Sequence, residues 1–599
     1  MPVSRKTEKR SGSGGWLSGA LEGIQDQWLL VGILLLAALL RLVHASQANL
    51  WFDEAFAVLV ARMPPRRILA TVGRDVHPPV YFLMLHLWQQ AVGGSELAVR
   101  SLSAFSSILA VATTFRLGTL AVNRRAGTWG ALLMAAAPFQ IYYAQEARAY
   151  ALSVLVSASL LFTLLMVATA PSWRTCAAHA LLAGLALYTH YFFALLLAAG
   201  HVWLFLTHQR WPVWRAVLVA DVAAGLLFLP QVRLALSQAL TLVQGFWIQD
   251  AAPLAVFKTL DFLLFASTTP TWLVPVALFG TLALLTVGAR DLVAACRAGR
   301  LEGGPFCLVP VAAFVPLISA FLVSRLGPSI YLHRAFALLT PPFVLLLASA
   351  LAIRPSGSPS LALAALVGLV AVVSLASFYL RPDPVRPDYR DVAARLSERG
   401  KPGDLLLHLH DSTSLPMRYY APALESRILD HERHWLPAGA WASLGTHVPV
   451  TWTETLPPKT RLWVVVEPGR IDAEQQEVLE SLRRNWTPME NVEPFGLHLW
   501  LFEHRAALGV DAKGLPILST ATGRLSGTEQ PLTGLGRQYC IDRLRCSGDT
   551  PWTGGTVQGC LRGRSAGAHE LPLPTLGWPS QVHGIHLAGC AARAFQCST

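Results

Sequence analysis

Long apolar runs separated by short polar stretches fill the chain from residue 28 to residue 380. They fall at about 28–43, 98–121, 126–143, 150–168, 176–207, 215–231, 271–289, 306–323, 335–353 and 360–380. A helix needs ~20 apolar residues to cross a bilayer, and a run of that kind has few other places to go. The run 176–207 would be ~48 Å long as one helix at 1.5 Å per residue. It reads as two spans broken near Thr189-His190-Tyr191. The expected fold class is therefore an all-α polytopic membrane protein with about eleven transmembrane helices.

Composition agrees. Of 599 residues, 53% are hydrophobic and 14% are charged, with a mean hydropathy of +0.44. Soluble domains carry about 25% charged residues, so a disordered chain and an ordinary soluble enzyme are both excluded. The net charge of +12 is spread along the chain. It suits lysine and arginine at membrane edges better than a nucleic-acid surface. Cys176, Cys296 and Cys307 lie singly in or beside apolar runs, where small buried side chains are expected. The other five cysteines lie after residue 539 with no zinc-like spacing.

Residues 1–27 read as a cytoplasmic N-terminal tail and 28–380 as the transmembrane domain, with a first outer loop at 45–97. The segment Pro78–Ala91 is short and includes His86. If it does not cross, Arg124, Arg125, Arg174, Arg210, Arg215, Arg290, Arg297, Arg300 and Arg354 face the cytoplasm. Fewer cations then face outside, which satisfies the positive-inside rule. This segment is thus expected to be interfacial or re-entrant. Arg62, Arg66, Arg67 and Arg74 in the outer loop run against the rule unless they face anionic lipid. The last span then delivers residues 381–505 to the outside as a small α/β domain. Its helices are expected at 388–399 and 471–484, and its strands at 405–408, 462–466 and 497–502. Residues 506–599 are glycine-rich without periodicity and read as a poorly ordered tail.

Four polar clusters share one expected face of the bundle. Asp53 and Glu54 lie in Leu50-Trp51-Phe52-Asp53-Glu54-Ala55. His77 lies in Asp75-Val76-His77-Pro78-Pro79. Glu146 and Arg148 lie in the run from Tyr142 to Tyr150, and Arg334 in Tyr331-Leu332-His333-Arg334. Each has a plain structural reading: an acidic helix start, a proline-led helix start, a polar turn with Glu146 paired to Arg148, and a snorkelling arginine. Together they supply what a transferase acting on a membrane-anchored, phosphate-bearing donor needs. A carboxylate takes a proton from the acceptor hydroxyl, and arginines hold the leaving phosphate.

At these residues the chain resembles a known family. The WFDEA of 51–55, HPPVYFLMLHLW of 77–88, GGSELAVRSLSA of 93–104, YYAQEARAYAL of 142–152 and THYFFALLL of 189–197 look like bacterial glycosyltransferase family 39. That group is protein O-mannosyltransferase-like and aminoarabinose-transferase-like, within the GT-C superfamily. The resemblance spans about residues 28–505, including the PDYRDVAARL helix followed by PGD. It implies a sugar, mannose-like or another hexose or pentose, on a polyprenyl-phosphate donor. The sugar would pass with inversion to a hydroxyl of an acceptor protein, lipid or cell-wall glycan. The reaction would occur on the outer face of the plasma (inner) membrane. The resemblance makes Asp53 the catalytic carboxylate with Glu54 beside it. His77 and Pro78 would shape the loop under the sugar, and Arg148 and Arg334, with Glu146 nearby, would bind the donor. Relatives usually show Arg-Tyr where this chain has Arg334-Ala335.

Phosphate leaves without a protein acid, so one carboxylate base suffices, unlike glycoside hydrolysis. No cofactor is demanded. The carboxylate pair could take a divalent cation, and His408, His410, Asp411, His431 and His434 form a conceivable metal set. A transporter or flippase of lipid-linked sugars is the alternative. It would want ionisable groups along a membrane route. Acidic residues near the spans are few, chiefly Asp221 and Asp261.

Overall fold

The computed structural model describes residues 13–243, 251–298, 303–352, 359–381, 386–429, 444 and 461–504. All of them belong to one compact unit. The segment 506–599, His431 and His434 lie outside the described residues.

A long helix, α1 (Ser13–Leu42), leads through a turn to three short ones: α2 (Phe52–Ala61), α3 (Pro65–Val72) and α4 (Val80–Val92). The bundle continues with α5 (Glu96–Ala121), α6 (Arg124–Ala136), α7 (Pro138–Ala144), α8 (Tyr150–Thr169), α9 (Trp173–Thr189), α10 (Phe193–Leu206) and α11 (Trp211–Val243). It closes with α12 (Ala255–Phe265), α13 (Val274–Arg297), α14 (Gly303–Leu326), α15 (Thr340–Ala352) and α16 (Pro359–Leu380); a 3₁₀ turn, His333–Leu339, precedes α15. The apolar run 176–207 does break, between Thr189 and Phe193. The α4 helix has 13 residues, too few to span a ~30 Å hydrocarbon core.

Among the described residues, seven helical segments are long and apolar enough to cross a membrane. Gln27–Leu42 and Phe193–Leu206 are shorter apolar helices. The remaining two expected spans fall on α6 and α9, of 13 and 17 residues. By length alone the count is thus smaller than the expected eleven. The α6 helix is short for a definite reason. Proline at 138 has no N–H to give to the carbonyl of Met134, so the helix stops and α7 restarts it.

The orphaned carbonyls at that break are met by a cation from another helix. Arg41, fully buried at the end of α1, donates to the carbonyls of Met134 and Ala135, both at 2.8 Å. Its Nε donates to Ser107 Oγ at 2.8 Å, which adds α5 to the junction. Nearby, α5 and α6 approach so closely that a Cβ on Gly127 would lie 2.5 Å from the Phe115 carbonyl. Small residues permit this backbone contact.

Beyond α16, α17 (Tyr389–Arg399) starts on Asp388, whose side chain accepts from the Asp391 N–H. Gly403, at φ +89°, turns the chain into the sheet. The strands are β1 (Leu405–His408), β2 (Glu425–Ile428), β3 (Arg461–Val466), β4 (Trp486–Val492) and β5 (His498–His504). Their order is β2-β1-β3-β5-β4. β1 runs parallel to both neighbours, and β5 runs antiparallel to β3 and β4. Two more helices, α18 (Ser414–Tyr420) and α19 (Ala473–Asn485), complete the domain. Alternate side chains divide between two cores. Leu405, Leu407, Leu462 and Val464 pack with Leu479 and Leu482 of α19. Leu406, Trp463 and Val465 pack with Tyr389, Val392 and Leu396 of α17. That period of two is the sheet's own geometry, and it yields a helix on each face.

Replacing Arg41 by leucine leaves the carbonyls of Met134 and Ala135 without donors. At ~1–3 kcal/mol for each buried unsatisfied group, the variant should lose at least about 2 kcal/mol. A lowered thermal unfolding midpoint of the purified protein would report it.

Candidate active site

The α2 helix opens with two carboxylates in its first turn, Asp53 and Glu54, where the helix dipole favours them. Adjacent residues on a helix point about 100° apart, so the two cannot serve one place. Glu54 is fully buried. It meets Arg100 of α5 side-on: Nε to Oε1 at 2.8 Å and Nη2 to Oε2 at 2.7 Å. Arg100 is also fully buried and spends its other N–H groups on the carbonyls of Ala45, Ala48 and Asn49. The backbone N–H of Ala147 donates to Glu54 Oε1 at 2.8 Å. Burial pushes the Glu54 carboxyl up, but Arg100, then Arg386 and these hydrogen bonds, hold it below the usual range. Glu54 thus joins α2, α5 and the loop 145–149. With its carboxylate committed there, it does not offer a joint chelate with Asp53.

Asp53 turns the other way, and its side chain is 18% exposed. Its Oδ2 lies 3.4 Å from Nη1 of Arg334 and 3.8 Å from Nη2 of Arg148. Both distances exceed the 2.7–2.9 Å of a direct charge-assisted hydrogen bond. Arg334 comes from the 3₁₀ turn before α15 and stacks over the Trp51 ring at 5.7 Å. Arg148 comes from the loop between α7 and α8. Its Nη2 lies 2.9 Å from His77 Nε2, and its Nη1 3.4 Å from the Asp53 carbonyl.

The His77 tautomer follows from its partners. Arginine can only donate, so His77 Nε2 accepts and Nδ1–H donates to Asp75 Oδ2 at 2.6 Å. Burial would raise the Asp75 carboxyl, but the hydrogen bond from His77, with that from the Val76 N–H and the charge of Arg148, keeps it below the usual range. His190 lies at the break between α9 and α10. Burial, with the charge of Arg148 adding to it, pushes its ring down to about 3, so it stays neutral.

Glu146 sits in the same loop as Arg148 and is 1% exposed. Burial pushes its carboxyl up to about 7; Arg386 and Arg334 oppose the rise, while Glu54 and Asp53 add to it. The loop itself is pinned from several sides. Gln145 Nε2 donates to the carbonyls of Leu40, in the last turn of α1, and Val43, just after it, at 3.2 and 2.8 Å. Arg386 donates to the Gln145 carbonyl at 3.2 Å and covers the Tyr142 ring at 5.1 Å.

Of the residues read from the sequence, the structure brings Asp53, His77, Arg148 and Arg334 into one contact set, with Glu146 in the adjoining buried layer. The Arg148 side chain is directed to Asp53 and His77. Glu54 is set apart as a scaffold. Sequence reasoning missed Arg100, Asp75, His190 and Arg386 as partners. An arginine five residues into an apolar helix was the available signal for Arg100, since such a charge needs a buried counter-ion. The His408 region is structural as far as it is described. His408 Nδ1 meets Thr413 Oγ1 at 2.8 Å, and His410 Nδ1 accepts from the Ser412 N–H. Among the described residues, no three His, Cys, Asp or Glu side chains are placed to hold a metal.

Residues 76–233 match the sequence model of the dolichyl-phosphate-mannose-protein mannosyltransferase family. The structure is similar to ArnT from Cupriavidus metallidurans in the apo state, with a TM-score of 0.53 and 14% identity over 82% of this chain and 98% of that one. It is also similar to ArnT from the same organism bound to undecaprenyl phosphate, with a TM-score of 0.52 and 14% identity over 83% and 99% of the two chains. Residues 76–233 thus carry the pattern of a mannosyltransferase family within a chain that shares the fold of ArnT. Family match and fold together indicate a glycosyltransferase. At 14% identity the likeness to ArnT is one of fold. No curated protein sequence matches the chain significantly.

Glu54→Ala leaves the Arg100 charge buried without its anion. It should cost about 3–5 kcal/mol, and Asp53→Asn clearly less, in thermal or denaturant unfolding. Glu146 gives a pH signature. Between its ordinary value of 4.5 and about 7 the folded protein keeps a proton that the unfolded chain has released. Its contribution to stability therefore falls as pH rises through that window and levels off above it. Glu146→Gln should remove that slope from a plot of unfolding midpoint against pH.

Proposed function

We propose that the protein moves a sugar from a polyprenyl-phosphate donor to an acceptor hydroxyl, with inversion, on the outer face of the plasma membrane. One observation carries this reading: a partly exposed carboxylate, Asp53, faces two guanidinium groups contributed by separate parts of the bundle. Asp53 takes the proton from the acceptor hydroxyl as its oxygen attacks the anomeric carbon. The bond from that carbon to the phosphate oxygen breaks on the opposite side. The electron pair leaves on the phosphate, where Arg148 and Arg334 balance the growing charge. The neutral His77 ring, held by Asp75, fixes Arg148 in place.

Undecaprenyl phosphate bound to ArnT supports a polyprenyl phosphate as the carrier. The family match supports a mannose-like sugar and a protein acceptor, beside which a lipid or glycan hydroxyl is chemically equivalent.

Membranes holding the protein, given labelled polyprenyl-phosphate sugars, should release polyprenyl phosphate and transfer label to an acceptor. Asp53→Asn should lose transfer by about 10²–10⁴-fold while remaining folded, as for loss of a general base. Arg148→Gln and Arg334→Gln should weaken donor use as well. Passage of intact donor across the bilayer without loss of its sugar would favour a flippase instead.

A further inference from the structure

Four arginines and no carboxylate lie within residues 62–74, between the stretches that carry Asp53 and His77. The helix inside this segment, α3 (Pro65–Val72), has two unlike sides. Ile68, Thr71 and Val72, at the i, i+3 and i+4 spacing of one face, are buried. Arg66, Arg67, Leu69 and Ala70 are exposed. An outward side that mixes arginine with leucine suits neither water nor hydrocarbon alone. It suits the boundary between them, where leucine enters the acyl region and arginine keeps its head among polar groups.

Packing holds α3 at such a boundary. Gln238 Nε2 of α11 donates to the Val72 carbonyl at 3.0 Å, and a Cβ on Gly73 would lie 3.4 Å from Leu234 Cδ1. Residues 211–240 of α11 are apolar and long enough to cross a membrane. Leu236 and Leu240, on either side of Gln238, are each 62% exposed, which marks a lipid-facing surface at that end of the helix. The end of α3 therefore rests on the last turns of a candidate span. Charge accounting leaves Arg66 and Arg67 over. The segment 45–97 has four carboxylates. Glu54 is bound to Arg100, Asp75 to His77 and Glu96 to Arg390, and Asp53 faces Arg148 and Arg334. Arg62 lies over the Tyr419 ring at 4.9 Å. Among the described residues, no carboxylate pairs with Arg66 or Arg67.

We propose that α3 is a docking surface for an anionic phospholipid, whose phosphate is held by Arg66 and Arg67 while its acyl chains lie along Leu69 and the exposed leucines of α11. Guanidinium groups are strong donors to phosphate oxygens. The occupant is a lipid and not a free anion, because cations and leucines share this surface and only an amphiphile satisfies both. An anionic membrane surface attracts arginines placed beside it in the same way. The bound lipid steadies the segment that joins α2, with Asp53, to His77. The inference needs only the membrane placement of α11, so it stands whether or not the transferase reading holds.

The test is native mass spectrometry of the purified full chain in detergent, titrated with dioleoylphosphatidylglycerol or with dioleoylphosphatidylcholine. It compares the wild type with a double variant, Arg66→Gln and Arg67→Gln. The wild type should bind phosphatidylglycerol more tightly than phosphatidylcholine. The double variant should lose about fivefold in phosphatidylglycerol affinity for each arginine removed, with phosphatidylcholine binding unchanged. Should the double variant not fold, Arg67→Gln alone is read in the same way, at about fivefold. Equal phosphatidylglycerol affinity in the wild type and the folded variant overturns the proposal. So does loss of the preference on adding inorganic phosphate, which would make the occupant a free anion. A wild-type dimer that the double variant splits into monomers overturns it too, since the face would then join two copies of the chain.

Discussion

Burying Glu54 against Arg100 is the constraint from which the rest of the site follows. Two fully desolvated charges are tolerable only when geometry is good and every remaining polar atom is served. Both conditions hold. The pair is bidentate, Arg100 reaches three carbonyls at the end of the first turn, and the Ala147 N–H completes Glu54. Four pieces of chain are locked by one ion pair. Once Glu54 is fixed inward, the helical rotation of α2 leaves Asp53 facing outward.

The same logic places the cations. The loop 145–149 is held by Gln145 on the end of α1, by Ala147 on Glu54 and by Arg386 on the Gln145 carbonyl. Arg148 is therefore presented by a rigid loop instead of finding Asp53 with a flexible one. The C-terminal domain also braces this region. Arg390 pairs with Glu96 and caps the carbonyls of Ser46 and Gln47, Asn49 meets Asp388, and the Leu50 N–H donates to Tyr420. Asp53 follows Leu50 by three positions, so the domain supports the segment that carries the carboxylate. Preorganised charge of this kind costs no rearrangement when a phosphate develops its charge.

The limits of sequence reading have local causes. Central strands β1 and β3 carry the apolar runs Leu405–Leu407 and Leu462–Val466 and are visible as strands. The missed strands, β2 (Glu425–Ile428) and β4 (Trp486–Val492), are the two edges of the sheet. Edge strands carry polar and exposed residues, such as Glu425, Thr487 and Asn491, so apolar patterning does not reveal them. Apolar runs, in contrast, located the long helices and the break at His190. Lengths at α6 and α9 depended on Pro138 and on chain turns that hydropathy does not weigh.

The sequence by itself determined that the chain forms many apolar helices followed by a small α/β domain, because hydrophobic periodicity and run length are local properties. It also marked Asp53, Glu54, His77, Glu146, Arg148 and Arg334 as polar groups costly to place near a membrane without a use or a partner. Tertiary structure decided which carboxylate of the pair is scaffold and which faces the cations. That choice rests on Arg100, 46 residues from Glu54, and burial of an ion pair is a property of the packed fold alone.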